Sequence, residues 1–191
     1  MNKATQKDIP ELIRILADPF SDNLSVNQCV KQDRNRLKRI ENQLRYICKI
    51  SLRNELAFIN NQKSSAILCN FSKGKKANLF DEIYYILKVS GLKLAFKLLK
   101  REQLLKAILP KINYCHLWFI GVEKDKQGQG LGSESIEFIK NYCQEINLPI
   151  YLETSNPENI KFYEKNGFTL YHKEQLSTDS FVLYFFLWNP Y

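Results

Sequence analysis

Stretches whose apolar residues recur every three or four positions alternate along this chain with short runs in which they are continuous. These two patterns separate amphipathic helix from buried strand. Residues 8–17 (DIPELIRILA) place Asp8 as N-cap and Pro10 in the first turn, which predicts a short helix. A polar break follows from Pro19 to Asn27. From Cys29 to Leu52, Val30, Leu37, Ile40, Leu44, Ile47 and Cys48 stand at spacings of three, four and seven, which predicts one long amphipathic helix. The runs 55–60 (ELAFIN) and 65–71 (SAILCNF) predict an antiparallel hairpin, and 72–78 an exposed loop. Helical spacing returns from Leu79 to Leu109 with a break near Gly91, so two helices stand between strands. In them Lys93, Lys97, Lys100 and Arg101 lie beside Leu94, Leu98, Leu99, Leu104 and Leu105.

In the second half the apolar runs shorten and turn aromatic. Residues 115–122 (CHLWFIGV) are unbroken and rich in aromatic and β-branched side chains, which marks a central strand buried on both faces. Alternation puts His116, Trp118, Ile120 and Val122 on one side of it. A glycine-rich turn leads into a helix with the stripe Ile136, Ile139, Cys143 and Ile146. A strand at 149–154 precedes a helix of about ten residues with Ser155 or Asn156 as cap, Pro157 at its first position and Gly167 as terminator. Asn159 and Tyr163, four apart, point to a common surface. Two aromatic strands, 168–174 and 181–188, close the chain as a hairpin, and His172 in the first has no evident partner.

Composition sets the class. With 45% hydrophobic and 25% charged residues in 191, disordered and collagen-like classes are excluded and one domain, 1–191, is expected. No apolar run reaches the roughly 20 residues a bilayer crossing needs. The first residues also lack a basic segment followed by an apolar signal core, so a cytoplasmic protein is expected. Five cysteines without a CxxC pair, and two histidines, support neither a disulfide framework nor a metal site, and the cysteines are expected to be reduced and mostly buried.

Charge is uneven. Residues 1–110 hold 21 Lys and Arg against 10 Asp and Glu, a net +11, whereas 111–191 hold 7 against 10, a net −3. The run DRNRLKR (33–39) mixes bases with acids and amides and lacks stacking aromatics, so a solvated helix face is favoured over nucleic-acid binding. The basic stretch 79–109 fits helices packed on a sheet better than helices lying on a membrane, and no stable membrane association is expected. A homodimer stays open.

Five of the seven glycines fall between positions 121 and 167. Gly128, Gly130 and Gly132 clear side chains from alternate positions, so N–H groups can converge on an anion at the positive end of the next helix. The pattern is a phosphate cradle, but neither common type. The Walker pattern has no GxxxxGK here, and the dinucleotide fingerprint GxGxxG meets Ser133 at its third glycine.

The stretch from His116 to Phe168 resembles the GNAT superfamily of acyl-CoA-dependent N-acyltransferases. Its acetyl-CoA motif, Gln or Arg followed by xxGxG or xxGxA, appears as Gln127-Gly128-Gln129-Gly130-Leu131-Gly132. Its helix motif, Asn-x-x-x-Tyr-Glu-x-x-Gly-Phe, is met by Asn159, Tyr163, Glu164, Gly167 and Phe168. The wording LETSNPENIKFYEKNGF is similar to the puromycin N-acetyltransferase branch. The resemblance implies an α/β (α+β) fold: a mixed, mostly antiparallel central sheet flanked by helices, with 79–109 as a helical insertion between strands 3 and 4.

It also implies roles. Main-chain groups of Ile120 and Val122, with Gly121 between them, pair with pantetheine like an extra strand. Gln127 and Gln129 belong to the cradle, and N–H groups from Gly128 through Gly130, Leu131 and Gly132 to Ser133 hold the pyrophosphate, while Asn159 touches the pantetheine arm. The Ile120 N–H polarises the carbonyl, and Tyr163 matches the acid that protonates the departing thiolate. His116 is a candidate base, with an ordered-water relay from Glu153 or Glu123 as the competing route. The implied activity is metal-free transfer of an acetyl group from acetyl-CoA, as co-substrate, to a primary amine by direct attack on the thioester. A non-catalytic acyl-CoA-binding module, acting as sensor or protein partner, is the alternative. Aminonucleosides, other small amines, polyamines and protein amino groups are all open as acceptors.

Overall fold

The computed structural model describes residues 1–190. Thr5 and Asp8 cap each other at the start of the first helix, the Asp8 carboxylate accepting from the Thr5 backbone N–H and hydroxyl at 2.8 Å each. Helix α1 (Ile9–Phe20) buries Ile9, Leu12, Ile13, Ile15 and Leu16 and runs through Pro19, which sits in its last turn. The expected polar break contains a second helix, α2 (Leu24–Cys29), capped by Asn23, whose Oδ1 accepts from the Val26 N–H at 3.0 Å.

The single helix expected over 29–52 is interrupted. Val30 is extended, and helix resumes only at α3 (Arg36–Arg53). Both distant and neighbouring partners hold the interruption. The Lys31 N–H donates to the Val89 carbonyl at 3.0 Å, and Arg36 donates to the Ser21 carbonyl and Asn27 Oδ1 at 2.7 Å each. Arg39 grips Asp33 through two hydrogen bonds of 3.0 and 2.8 Å. Part of the basic run thus ties helices together instead of facing water. Leu37 points outward, and Ile40, Leu44 and Cys48 carry the buried stripe.

Strands β1 (Asn2–Lys3), β2 (Ala57–Ile59), β3 (Ser65–Phe71), β4 (Cys115–Val122), β5 (Ile150–Thr154), β6 (Thr169–Glu174) and β7 (Leu183–Trp188) form one sheet in the order β1-β2-β3-β4-β5-β7-β6. Every neighbouring pair is antiparallel except β4 with β5. Between β3 and β4 come α4 (Leu79–Tyr85), a π-helical turn (Ile86–Ser90) and α5 (Gly91–Ile108), the break falling at Gly91 with φ +71°. Helix α6 (Leu131–Glu145) buries Ile136, Ile139 and Cys143, while Ile146 lies beyond its end and is exposed. Helix α7 (Asn159–Lys165) is shorter than expected because residues 156–158 form a turn, in which Asn156 Oδ1 accepts from the Glu158 N–H at 3.0 Å. Gly167, at φ +84°, ends it.

Helices α1 and α3 cover one face of the sheet around Leu68 and Phe119, and α6 and α7 cover the other around Ile67, Leu152 and Phe186. The end of α5 packs against Tyr151, Leu183 and Phe185. Cys48, Cys69, Cys115 and Cys143 are buried and Cys29 partly so, none of them in a disulfide.

Candidate active site

The site is built about a defect in β4. Leu68 pairs with Phe119 and the next residue, Cys69, with Leu117, which leaves Trp118 as an extra residue in the ladder. Leu117 packs toward α6, Trp118 and Phe119 both pack toward α1 and α3, and Ile120 returns to the α6 side. The alternation expected to place Ile120 with His116 and Trp118 is therefore broken by the bulge. Beyond it, α1 crosses so close that a Cβ on Gly121 would meet Leu16 Cδ2 at 2.7 Å.

Past the bulge β4 and β5 part. They pair only at Cys115–Ile150 and His116–Tyr151, although β4 continues to Val122. The parting opens a cleft and turns an unpaired strand edge into it, the kind of edge that accepts an extended ligand. Gln127 Nε2 donates to the Val122 carbonyl at 3.2 Å and braces the end of this edge.

A cavity of about 930 Å³ occupies the cleft, with Ile120, Gly121 and Val122 along it, the turn from Lys124 to Ser133 at one end, and Asn159 and Tyr163 on α7 opposite. Gly128 and Gly130 have φ of +77° and +87°, and a Cβ on either would meet nothing within 4 Å. Glycine is needed there for the backbone conformation, and the space it leaves is open. Gly130 is also the N-cap of α6, so unpaired N–H groups of the first turn, with Lys124 and Lys126 nearby, make this end of the cavity positive. A pyrophosphate fits such a cradle. Gln127, Gly128, Gly130, Leu131, Gly132 and Ser133 line the cavity; Gln129 does not, its side chain turning back to the Asp125 carbonyl at 3.5 Å.

A second cavity, of about 740 Å³, lies on the α1–α3 face beneath α5 and is lined by His116, Trp118, Tyr151 and Glu153. The two cavities share Ile120, Ser155, Asn159 and Tyr163, so they meet where the strands part. Ser155 Oγ accepts from the Ser25 N–H at 3.2 Å and fastens α2 over this junction.

His116 belongs to a hydrogen-bonded chain. Trp118 Nε1 donates to His116 Nδ1 at 2.8 Å, and His116 Nε2 lies 2.8 Å from Glu153 Oε2. An indole N–H can only donate, so Nδ1 is the acceptor and the Nε2 proton is given to the carboxylate. Burial by itself would raise the proton affinity of Glu153, but His116 and, to a smaller extent, Tyr151 and Arg101 bring its carboxyl below the ordinary value. Both partners remain reachable from the cavity, their side chains 22% and 18% exposed. Burial, and secondarily the Glu153 charge, lifts the Tyr163 phenol well above its usual range, so it keeps its proton at neutral pH. Glu123 is ion-paired with Arg14 and lines neither cavity. His172 stands 3.5 Å from Glu174. Among the described residues no group of three or more His, Cys, Asp or Glu is placed to hold a metal ion.

Residues 81–168 match the profile of the Acetyltransferase (GNAT) family. The match covers a little under half of the chain, the stretch that carries the glycine turn and the cleft, and over it the chain is similar to that family. An uncharacterized N-acetyltransferase of Schizosaccharomyces pombe is 32% identical over 54% of this chain and 48% of its own length, so the chain spans about half the length of that curated relative. The crystal structure of histone acetyltransferase HPA2 and related acetyltransferase from Corynebacterium glutamicum has a TM-score of 0.68 at 15% identity, covering 97% of this chain and 93% of that one. Arylalkylamine N-acetyltransferase 2 of Aedes aegypti superposes with a TM-score of 0.66 at 12% identity over 100% and 98%. At such identities these two structures show the fold, a GNAT sheet with its helices.

Proposed function

We propose that this chain is a GNAT acetyltransferase that transfers an acetyl group from acetyl-CoA to a primary amine by direct attack on the thioester. The observation that carries the proposal is the meeting of the two cavities at Asn159 and Tyr163. The larger one has the strand edge and the positive glycine turn that CoA requires. The smaller one brings an amine to the junction from the opposite side. The N-acetyltransferase names of the relatives support transfer to nitrogen.

Acetyl-CoA supplies an acyl group on a thiolate leaving group. The turn from Gly128 to Ser133 holds the pyrophosphate, Ile120 and Val122 pair along the pantetheine, and Asn159 steadies its arm. As the new carbon–nitrogen bond forms and the carbon–sulfur bond breaks, the Ile120 N–H meets the charge growing on the carbonyl oxygen. The amine's proton passes through an ordered water to Glu153, and the Tyr163 phenol gives its proton to the sulfur. His116, with both nitrogens engaged, positions Glu153 in this scheme. Residues 1–191 act as one cytoplasmic domain, with 79–109 inserted over the acceptor side and no metal required.

Tyr163→Phe tests the assignment, because it removes the proton donor and keeps the ring packed against Phe162, Phe168 and Phe186. Acetyl-CoA affinity by calorimetry should stay within about twofold, while kcat for thiol release falls on the order of 10²-fold. Unchanged kcat would assign Tyr163 to structure. A folded native chain that does not bind acetyl-CoA would overturn the proposal, and tight binding without turnover on any amine would support the acyl-CoA-binding module instead.

A further inference from the structure

We propose that the acceptor is an amine bearing a single positive charge on an apolar body, aromatic or long aliphatic, seated between α3, α5 and Trp118. The inference rests on the acetyl-transfer proposal and deepens it by naming the substrate class.

The first ground is the wall. The second cavity is lined by the half-buried and mainly apolar side chains of Ile47, Phe71, Tyr85, Leu98, Leu105 and Trp118, with the Tyr85 hydroxyl turned to the Cys29 carbonyl, and its polar residues Gln43, Asn70 and Ser72 stand among them. A space of about 740 Å³ is far larger than a two-carbon amine fills. Peptide groups or hydroxyls placed against these side chains would lose water without gaining partners, a cost that selects against polar bodies. A phenyl ring or an alkyl chain loses nothing there and gains burial.

Charge is the second ground, and it is independent of the first. Among the charged residues lining this cavity, Lys76 and Lys106 offset Glu82 and Glu102, with Lys106 and Glu102 in contact at 2.9 Å. Arg101 is neutralised by Asp179, also at 2.9 Å. Glu153 is left as the one unbalanced charge, at the end where the cavities meet. One carboxylate steers one ammonium group inward. A polyamine would have to leave its further charges against leucine and tryptophan, and an acid-bearing amine would meet Glu153 with like charge.

The test is a comparison of 2-phenylethylamine and octylamine with ethanolamine and spermidine, run on the full chain in two ways. Calorimetric titration into the chain, both alone and with CoA added, reads amine binding without turnover, and thiol release from acetyl-CoA reads kcat/KM. Burial of the ring or chain predicts a preference of about a hundredfold for the first two amines over the last two. Leu98→Asp, on the cavity wall and remote from the glycine turn, should cut that preference at least tenfold with acetyl-CoA affinity unchanged, and Leu98→Met should keep it. Equal or tighter binding of ethanolamine or spermidine, or no binding by any of the four, would overturn the proposal, whether or not Leu98→Asp folds. Apolar amines that bind while acetyl-CoA does not would sustain this site and refute the acetyl-transfer proposal, so the two failures are distinct.

Discussion

Glu153 enters the second cavity, proposed for the acceptor, as a carboxylate whose burial and whose neighbours pull in opposite directions. Burial favours its neutral form, and His116 is the largest of the groups that favour the ionised one. Its folded value is depressed, so the stability it contributes is complete above the ordinary glutamate range and is lost as pH falls through the folded value. In the proposed reaction catalysis through this group follows the same sign, since only the ionised form accepts the amine's proton. His116→Ala removes the 2.8 Å hydrogen bond and leaves burial opposed only by weaker partners. The carboxyl then titrates at a higher pH. The ratio of variant to native kcat/KM is therefore expected to be lowest in acid, down about tenfold to hundredfold near pH 6, and to climb toward pH 9. Dividing by the native profile cancels the ionisation of the free amine. A pH-independent ratio would leave His116 with a packing role alone.

At the scale of elements, the turn before α6 and the bulge in β4 do the positioning, and they differ in how they can be recognised. Gly130 combines φ +87° with an empty neighbourhood, so Gly130→Leu carries a backbone cost of roughly 1–2 kcal/mol and projects its side chain into the cavity. Acetyl-CoA affinity should fall more than tenfold while the melting temperature drops by no more than about 8 °C, at roughly 2–4 °C per kcal/mol for a chain of this size. Unchanged affinity would remove the cradle from the site. That turn was legible because positive φ selects glycine and the strand and helix flanking it have clear periods. The bulge was not: Leu117, Trp118 and Phe119 are all large and apolar and suit either face, so nothing in their identity marks which one is extra. The start of α3 was hidden for a related reason. Val30 fits the helical stripe, but the chain is held extended there by Val89 and by the partners of Arg36 and Arg39, contacts that exist only once the chain has folded. The link from Trp118 through His116 to Glu153 was equally out of reach, because it spans two strands 37 residues apart in sequence.

In the molecule as a whole, α5 roofs the second cavity with a modest apolar grip. Leu104, Leu105, Ile108 and Leu109 pack against the body, whereas Leu92, Phe96 and Leu99 face solvent. Its one buried residue is Arg101, whose guanidinium donates to the Asp179 carboxylate through Nε at 2.9 Å and to Ser25 Oγ at 3.2 Å. Asp179 is held in turn by Gln28 and by the Thr178 hydroxyl, at 3.2 and 2.9 Å. A single ion pair thus joins α5, α2 and the segment between β6 and β7, beside the apolar packing of Leu176 and Phe181 of that segment against the end of α5. Replacing one member strands the other in the interior. Asp179→Asn is therefore expected to cost about 3 kcal/mol, a fall in melting temperature of roughly 6–12 °C. The double variant Arg101→Met with Asp179→Leu should recover most of that loss, since no buried charge is left without a partner. The two forms part company in function: with the roof unlatched from α2, both should show a raised KM for the amine and an unchanged Kd for acetyl-CoA, whose cavity lies across the junction. Thermal melts followed by circular dichroism, together with the two titrations, separate the effects. Native-like melting of Asp179→Asn, or an unchanged KM for the amine in both variants, would show that the pair does not hold the roof, and a matching loss of acetyl-CoA affinity would show that the two cavities do not respond separately.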